Sequence, residues 1–213
     1  ADAGDIVQAQ DGLELAFRHE PGGRRLTVRA PGFDGGSGLS GEIRLDQPPM
    51  ERMVIATPFA DDPHAFYYNQ KINCMPARGS VRIGSQVHDF TPETSFGVLD
   101  WGRGVWTYDN VWYWGSASGL VEGRPFGFNI GYGFGETSAA SENMLFVDGR
   151  AHKLDQIAFH MPGGAPDSDR WHFTSNDGRF EMHFVPAVNR WAKVEAGMVK
   201  TEQDQVFGYF SGQ

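Results

Sequence analysis

The chain has 213 residues, 40% hydrophobic, 21% charged and 13% aromatic, which excludes a disordered polymer. Its 28 Gly and 12 Pro follow no fixed period, which excludes a collagen-like or solenoid repeat. A net charge of −9 without a basic cluster argues against generic binding to nucleic acid or anionic membranes, where cations must displace counterions. No apolar run nears the ~18 residues of a membrane helix. The single cysteine, Cys74, forbids an internal disulfide and fits a cytoplasmic location. The start at Ala1-Asp2-Ala3 reads as a trimmed or processed terminus.

In chain order, the dominant period is two. Leu13-Glu14-Leu15-Ala16-Phe17 and Arg25-Leu26-Thr27-Val28-Arg29 alternate, with turn signals at Asp11-Gly12 and Gly22-Gly23. Residues 32–41 read as a long loop. Tyr68 to Asn73 reads as a strand with Asn69, Lys71 and Asn73 on one face. From Val105, a strand would carry Trp106, Tyr108, Asn110, Trp112 and Trp114 together. In the stretch from Phe126 to Phe134, aromatic and aliphatic side chains alternate with Gly127, Asn129, Gly131 and Gly133. Asp148-Gly149 and Asp177-Gly178 mark further hairpins. Residues 162–170 read as another loop. Phe180, Met182 and Phe184 share a face opposite Glu181 and His183. Only Ala187 to Ala196 suggests a short helical turn, and Val188 and Val194 weaken it. About fifteen short strands predict one all-β domain over residues 1–213, an antiparallel barrel or barrel-like sandwich.

Candidate chemistry concentrates in residues 99–114, which hold four of the six tryptophans with Asp100, Arg103 and Asp109 among them. A buried Trp removes roughly 150–250 Å² of surface, so the indoles need a large partner, either core or a bulky apolar ligand. Asp and Arg rarely enter aromatic surroundings unpaired. They predict either a structural ion pair or a carboxyl tuned for general-acid work. The glycine face of residues 126–134 predicts close approach by a backbone or a ligand, with Asn129 its one hydrogen-bonding side chain. The Asn69, Lys71, Asn73 row is either solvated or a polar strip turned inward. His160, His172, His183 and Glu181 could converge on adjacent strands, but they lack local ligand spacing and read as a surface row, so no metal is expected. No G-x-S-x-G, P-loop or nucleotide-binding glycine fingerprint occurs, and no other cofactor is expected.

Several segments together resemble one family: Asp100-Trp101-Gly102-Arg103-Gly104-x-Trp106, Phe126-Gly127-Phe128-Asn129-x-Gly131-x-Gly133-Phe134-Gly135, Tyr68-Asn69-x-Lys71-x-Asn73, Glu142-Asn143-x-x-Phe146-x-Asp148-Gly149, His152-Lys153-Leu154, Asp177-Gly178-Arg179-Phe180-Glu181 and Gln205-Val206-Phe207-Gly208. They are similar to the family catalogued as domain of unknown function 2804, most clearly from residue 50 onward. The resemblance implies a longer chain, with an upstream Trp- and Arg-rich segment absent here. A partner chain or a second copy could then complete the barrel. More remotely, Asp100-Trp101-Gly102 is similar to segments of tandem lipocalin-like proteins such as carotenoid hydratases. That likeness implies a lipocalin-like barrel with an apolar substrate at its mouth. Three readings follow. The first is an enzyme for acid-assisted hydration, isomerisation or cyclisation of an isoprenoid-, lipid- or polyketide-like molecule. Asp100, Arg103 and Glu142 would do the chemistry, while Trp101, Trp106, Tyr108, Trp112, Trp114, Asn129, Lys71, Asn69 and Asn73 would hold the ligand. The second is a non-catalytic carrier or sensor, and the third a structural β protein with a filled core.

Overall fold

Turn chemistry sets the hairpins. Asp11-Gly12 and Asp148-Gly149 have positive φ at both residues (51° and 81°; 51° and 77°), as a two-residue type I′ turn requires. The first joins β1 (Ile6–Gln10) to β2 (Leu13–Glu20), and the second joins β11 (Met144–Val147) to β12 (Arg150–Lys153). The computed structural model describes residues 4–212, in which sixteen strands pair antiparallel throughout. The all-β expectation holds. The chain divides into two compact units, residues 1–153 and 154–213.

In the first unit, β1, β2, β3 (Gly23–Ala30), β4 (Leu39–Asp46), β6 (Asp62–Ile83) and β5 (Met53–Phe59) follow one another across a sheet curled into a half-barrel. β7 (Gln86–Phe90) and β8 (Phe96–Val105) also pair with β6. A second sheet runs β12, β11, β10 (Arg124–Tyr132), β9 (Tyr113–Val121). β6 is the spine: its first part pairs with β5 and β8, and its last residues pair with β4 and β7. Between these parts Cys74 takes φ 59°, and the pairing with β8 slips between Ile72 and Met75. Such a bulge re-aims the side chains on either side of it. Residues 69–75 are all buried, because both faces of β6 are covered. On one face Ile72 and Met75 pack with Leu45 and Ala77; on the other, Cys74 packs with Met53 and Phe146.

The second unit is a sheet ordered β13 (Ile157–His160), β14 (Trp171–Ser175), β15 (Glu181–Ala196), β16 (Val199–Gly212). Phe180, Met182 and Phe184, as the period-two pattern predicts, form its buried face together with Phe173.

Some expectations are corrected. Ala187 to Ala196 is strand, not helix: β15 continues through it, paired with β16 to Ala196 opposite Val199, and β-branched Val188 and Val194 suit that ladder. Val105 to Trp114 is not one strand. β8 ends at Val105 and β9 begins at Tyr113, and the connection closes on itself. Asn110 Nδ2 donates to the Thr107 carbonyl, and Thr107 Oγ1 donates to Asn110 Oδ1 at 3.2 Å. Short polar side chains of this kind compete with the ladder for backbone groups. In β2, Leu13 and Phe17 are exposed and Ala16 is buried, the reverse of the face that alternation suggests.

Candidate ligand-binding site

Alternation along β6 puts Tyr67, Asn69 and Lys71 on one face, with Asp100 of β8 directly opposite Lys71 in register. Lys71 is 3% exposed and forms an ion pair with Asp100; its Nζ lies 3.5 Å from Glu142 Oε2 and 5.3 Å from the centre of the Trp114 ring. A lysine this deep is tenable only with such partners, since an uncompensated buried charge destabilises strongly. The Asp100 side chain keeps 41% of its surface in solvent and that of Glu142 18%, so the group is approached from the Asp100 side.

β10 holds the other half. Asn129 is fully buried: its Oδ1 accepts from Trp114 Nε1 at 2.8 Å, and its Nδ2 donates to the Glu142 carbonyl at 3.0 Å and to Glu142 Oε2 at 3.2 Å. One amide thus fixes both the indole and the carboxylate that flank Lys71. The neighbouring glycines make room for close approach. A Cβ on Gly131 would sit 2.8 Å from Glu142 Oε1, and one on Gly127 would sit 2.6 Å from Cys74 Sγ. The segment bearing Glu142 is tied down as well: Gly131 N donates to Asn143 Oδ1 at 2.7 Å, and Lys153 Nζ donates to Ser141 Oγ at 2.7 Å. Asn73 Nδ2 donates to Ser116 Oγ and to the Phe128 carbonyl, both at 2.8 Å, joining β6 to β9 and β10.

Beside this group lies a cleft of about 10 Å³, lined among others by Thr57, Tyr67, Asn69, Gly131, Phe134 and Glu142. That is room for about one water-sized group. Asn69 Oδ1 is buried and has no hydrogen-bond partner. The Tyr67 phenol is pushed up to about 12, first by burial, then by the negative charges of Asp100 and Glu142; the hydrogen bond from Asn69 opposes this weakly. It therefore keeps its proton at neutral pH. Phe134 stands at the centre of an aromatic rim, with ring centroids 4.9 Å from Tyr67, 5.4 Å from Phe59, 5.8 Å from Trp106 and 5.4 Å from Trp112. Trp106 and Trp112 are half exposed.

Lys71, Asn69, Asp100, Glu142, Asn129 and Trp114 thus come together, with Asn73 two residues along the same strand and Trp106 and Trp112 at the rim. The row on β6 turns inward, so the solvated alternative is set aside. Arg103 does not partner Asp100. Three residues apart on β8, the two point to opposite faces, and Lys71 takes the place expected of Arg103. Trp101 shares that opposite face, packed edge-on against Tyr68 at 6.1 Å. Tyr108, on the turn before β9, is 75% exposed. Among the described residues, no indole lines the cleft; an open groove of about 200 Å³ on β1 to β3, lined by Leu15, Arg18 and Val28 among others, has no tryptophan either. Tyr67 and Phe134 escaped sequence reasoning, although extending the Asn69, Lys71 row back by two residues reaches Tyr67.

The second unit brings the histidine row together. His160, His172 and His183 face one another across β13, β14 and β15, stacked with centroids 5.4 Å and 4.6 Å apart. Ligand atoms of His172, Glu181 and His183 all lie within 4.8 Å of one another.

The family described as Domain of unknown function (DUF2804) matches the chain over residues 1–213, so the likeness extends through the first fifty residues as well. No curated protein and no solved structure matches.

Proposed function

The chain belongs to the DUF2804 family, and we propose that its Lys71 cleft binds the polar end of a bulky apolar molecule, isoprenoid-, lipid- or polyketide-like, whose body lies along the exposed aromatic rim. The observation that carries this reading is Asn69, which lines the cleft and whose buried Oδ1 has no hydrogen-bond partner. A buried acceptor without a donor costs about 1–3 kcal/mol, and a ligand hydroxyl entering the cleft would recover it. The cleft has space for one such group, not for a ring, so the apolar remainder stays outside on Trp106, Trp112 and Phe134. Tyr67, protonated, can donate to the oxygen of that ligand hydroxyl, whose own hydrogen goes to Asn69 Oδ1. The burial of Lys71 speaks against a purely structural β protein, in which the lysine would lie on the surface. Acid-assisted hydration, isomerisation or cyclisation belongs to the same reading. Its proton would pass through the Asp100–Lys71–Glu142 group, with Asp100 the solvent-facing member and Arg103 taking no part.

Tryptophan fluorescence titration with a sesquiterpene alcohol and its methyl ether tests the binding. The alcohol should bind about fivefold or more tighter, one hydrogen bond's worth, and Asn69→Leu should erase the difference. Equal affinity of alcohol and ether in the native protein refutes the reading. Mass spectrometry of the incubated alcohol then separates a catalyst from a carrier. Turnover should vanish in Asp100→Asn while affinity stays within about threefold.

A further inference from the structure

We propose that His172, His183 and Glu181 form a binding site for a divalent transition-metal ion, Zn²⁺ being the ion whose ligand chemistry they fit best. The site lies wholly on the β14–β15 hairpin of the second unit. It is built by register: His172 is directly opposite His183, and Glu181 lies two residues before His183 on the same face. The two imidazoles stack at 4.6 Å with 15° between their planes, so their ring nitrogens can turn to one side of the ladder together. Glu181 Oε1 already lies 3.0 Å from His172 Nε2. The three ligand atoms fall within 4.8 Å of one another. A tetrahedral ion with bonds of about 2.0–2.1 Å needs them about 3.3 Å apart, which rotation of exposed side chains supplies without moving the backbone.

The platform beneath is rigid. Phe173, Met182 and Phe184, which alternate with the ligands on the same two strands, are all buried, so the backbone positions are held by the core of this unit. Two imidazoles and one carboxylate leave a fourth position for water. Nitrogen-rich donor sets of this kind select zinc, copper and nickel over magnesium and calcium, which take oxygen. His160 extends the row but directs its Nε2 to Thr174 Oγ1 at 3.2 Å, so it stands beside the site and is no ligand. Exposed β positions favour threonine and valine; three imidazoles in one cross-strand line are not what sheet stability alone would select.

Isothermal titration of the full chain with Zn²⁺ tests this, with Co²⁺ as an optical probe. One ion per chain should bind with a Kd of about 10 μM or below, and Co²⁺ should give the visible bands of four-coordinate geometry. His172→Ala and His183→Ala should each weaken binding by at least about 30-fold, Glu181→Gln by about 10-fold, and His160→Ala by less than about threefold. His160, Glu181 and His183 are exposed and His172 is half-buried, so circular dichroism of the variants should match the native protein. Binding only at millimolar Zn²⁺, or undiminished binding in the double variant His172→Ala/His183→Ala, overturns the proposal.

Discussion

The region around Lys71 and the region around Phe180 place their side chains in opposite ways. In the β14–β15 hairpin the usual rule holds: Phe173, Phe180, Met182 and Phe184 are inside, while His172, Glu181 and His183 face outward. Around Lys71 it is reversed. A lysine, four asparagines and a glutamine are buried, while Trp106 and Trp112 stand half in solvent. Exposed apolar residues are common, but buried polar groups are informative, because each must be satisfied or it costs stability. The buried aromatic face of the first needs no explanation beyond folding. The second retains charges where hydrophobic residues of similar size would often be as stable or more so, which fits the binding site proposed above.

Substitutions sharpen that contrast. Phe180→Ala should have the largest effect, about 4 kcal/mol by urea denaturation, since it opens a cavity in a core with nothing to refill it. Lys71→Met should cost about 3 kcal/mol, because Asp100 and Glu142 lose their shared cation. The two should then part company. Adding Asp100→Asn and Glu142→Gln to Lys71→Met should recover most of the loss, whereas no polar change compensates for Phe180. If the triple variant remains as unstable as the single one, the polar cluster is a structural necessity and the contrast fails. Gly131→Ala should cost about 1–3 kcal/mol, since the added methyl meets Glu142 Oε1 at 2.8 Å and the Tyr113 carbonyl at 2.9 Å. Pairing it with Glu142→Ala should reduce that penalty if the carboxylate, and not the backbone, sets it.

Much of this arrangement is legible in sequence, and the limits are physical. The Phe180, Met182, Phe184 face declares itself because one side of its sheet is dry and the other wet, which is what strict alternation encodes. Asn69 and Lys71 can be assigned to a common face by parity, yet parity is silent on which face is inside. Asp100 and Arg103 lie three residues apart in the chain, and only the strand assignment shows that they point away from each other. The 106–112 connection misleads because its alternating aromatics mimic a strand, while Thr107 and Asn110 bond locally and end the ladder. The His172, Glu181, His183 cluster depends on the register of β14 against β15, which Asp177-Gly178 hints at but does not set.

Titration separates the two regions once more, at opposite ends of the pH scale. Tyr67 has its phenol raised from 10.0 to about 12 by burial beside Asp100 and Glu142. Its contribution to stability is whole below pH 10.0 and is lost as pH rises toward about 12, so Tyr67→Phe should flatten the alkaline loss of stability seen in the native protein. The smallest expected effect lies at the acid end, in the second unit. Asp177 accepts from Ser175 Oγ at 2.7 Å, from Arg179 N at 3.1 Å and from Arg179 Nε at 2.7 Å, and these bonds to its charged form lower it from 3.8 to about 2. A depressed carboxyl stabilises the fold above its unfolded value and ceases to do so as pH falls through its folded one. The urea midpoint of Asp177→Asn should therefore lie slightly below that of the native protein above pH 3.8, and the gap should close as pH approaches about 2. A gap that stays constant across that window would assign the effect of Asp177 to turn geometry and not to its charge.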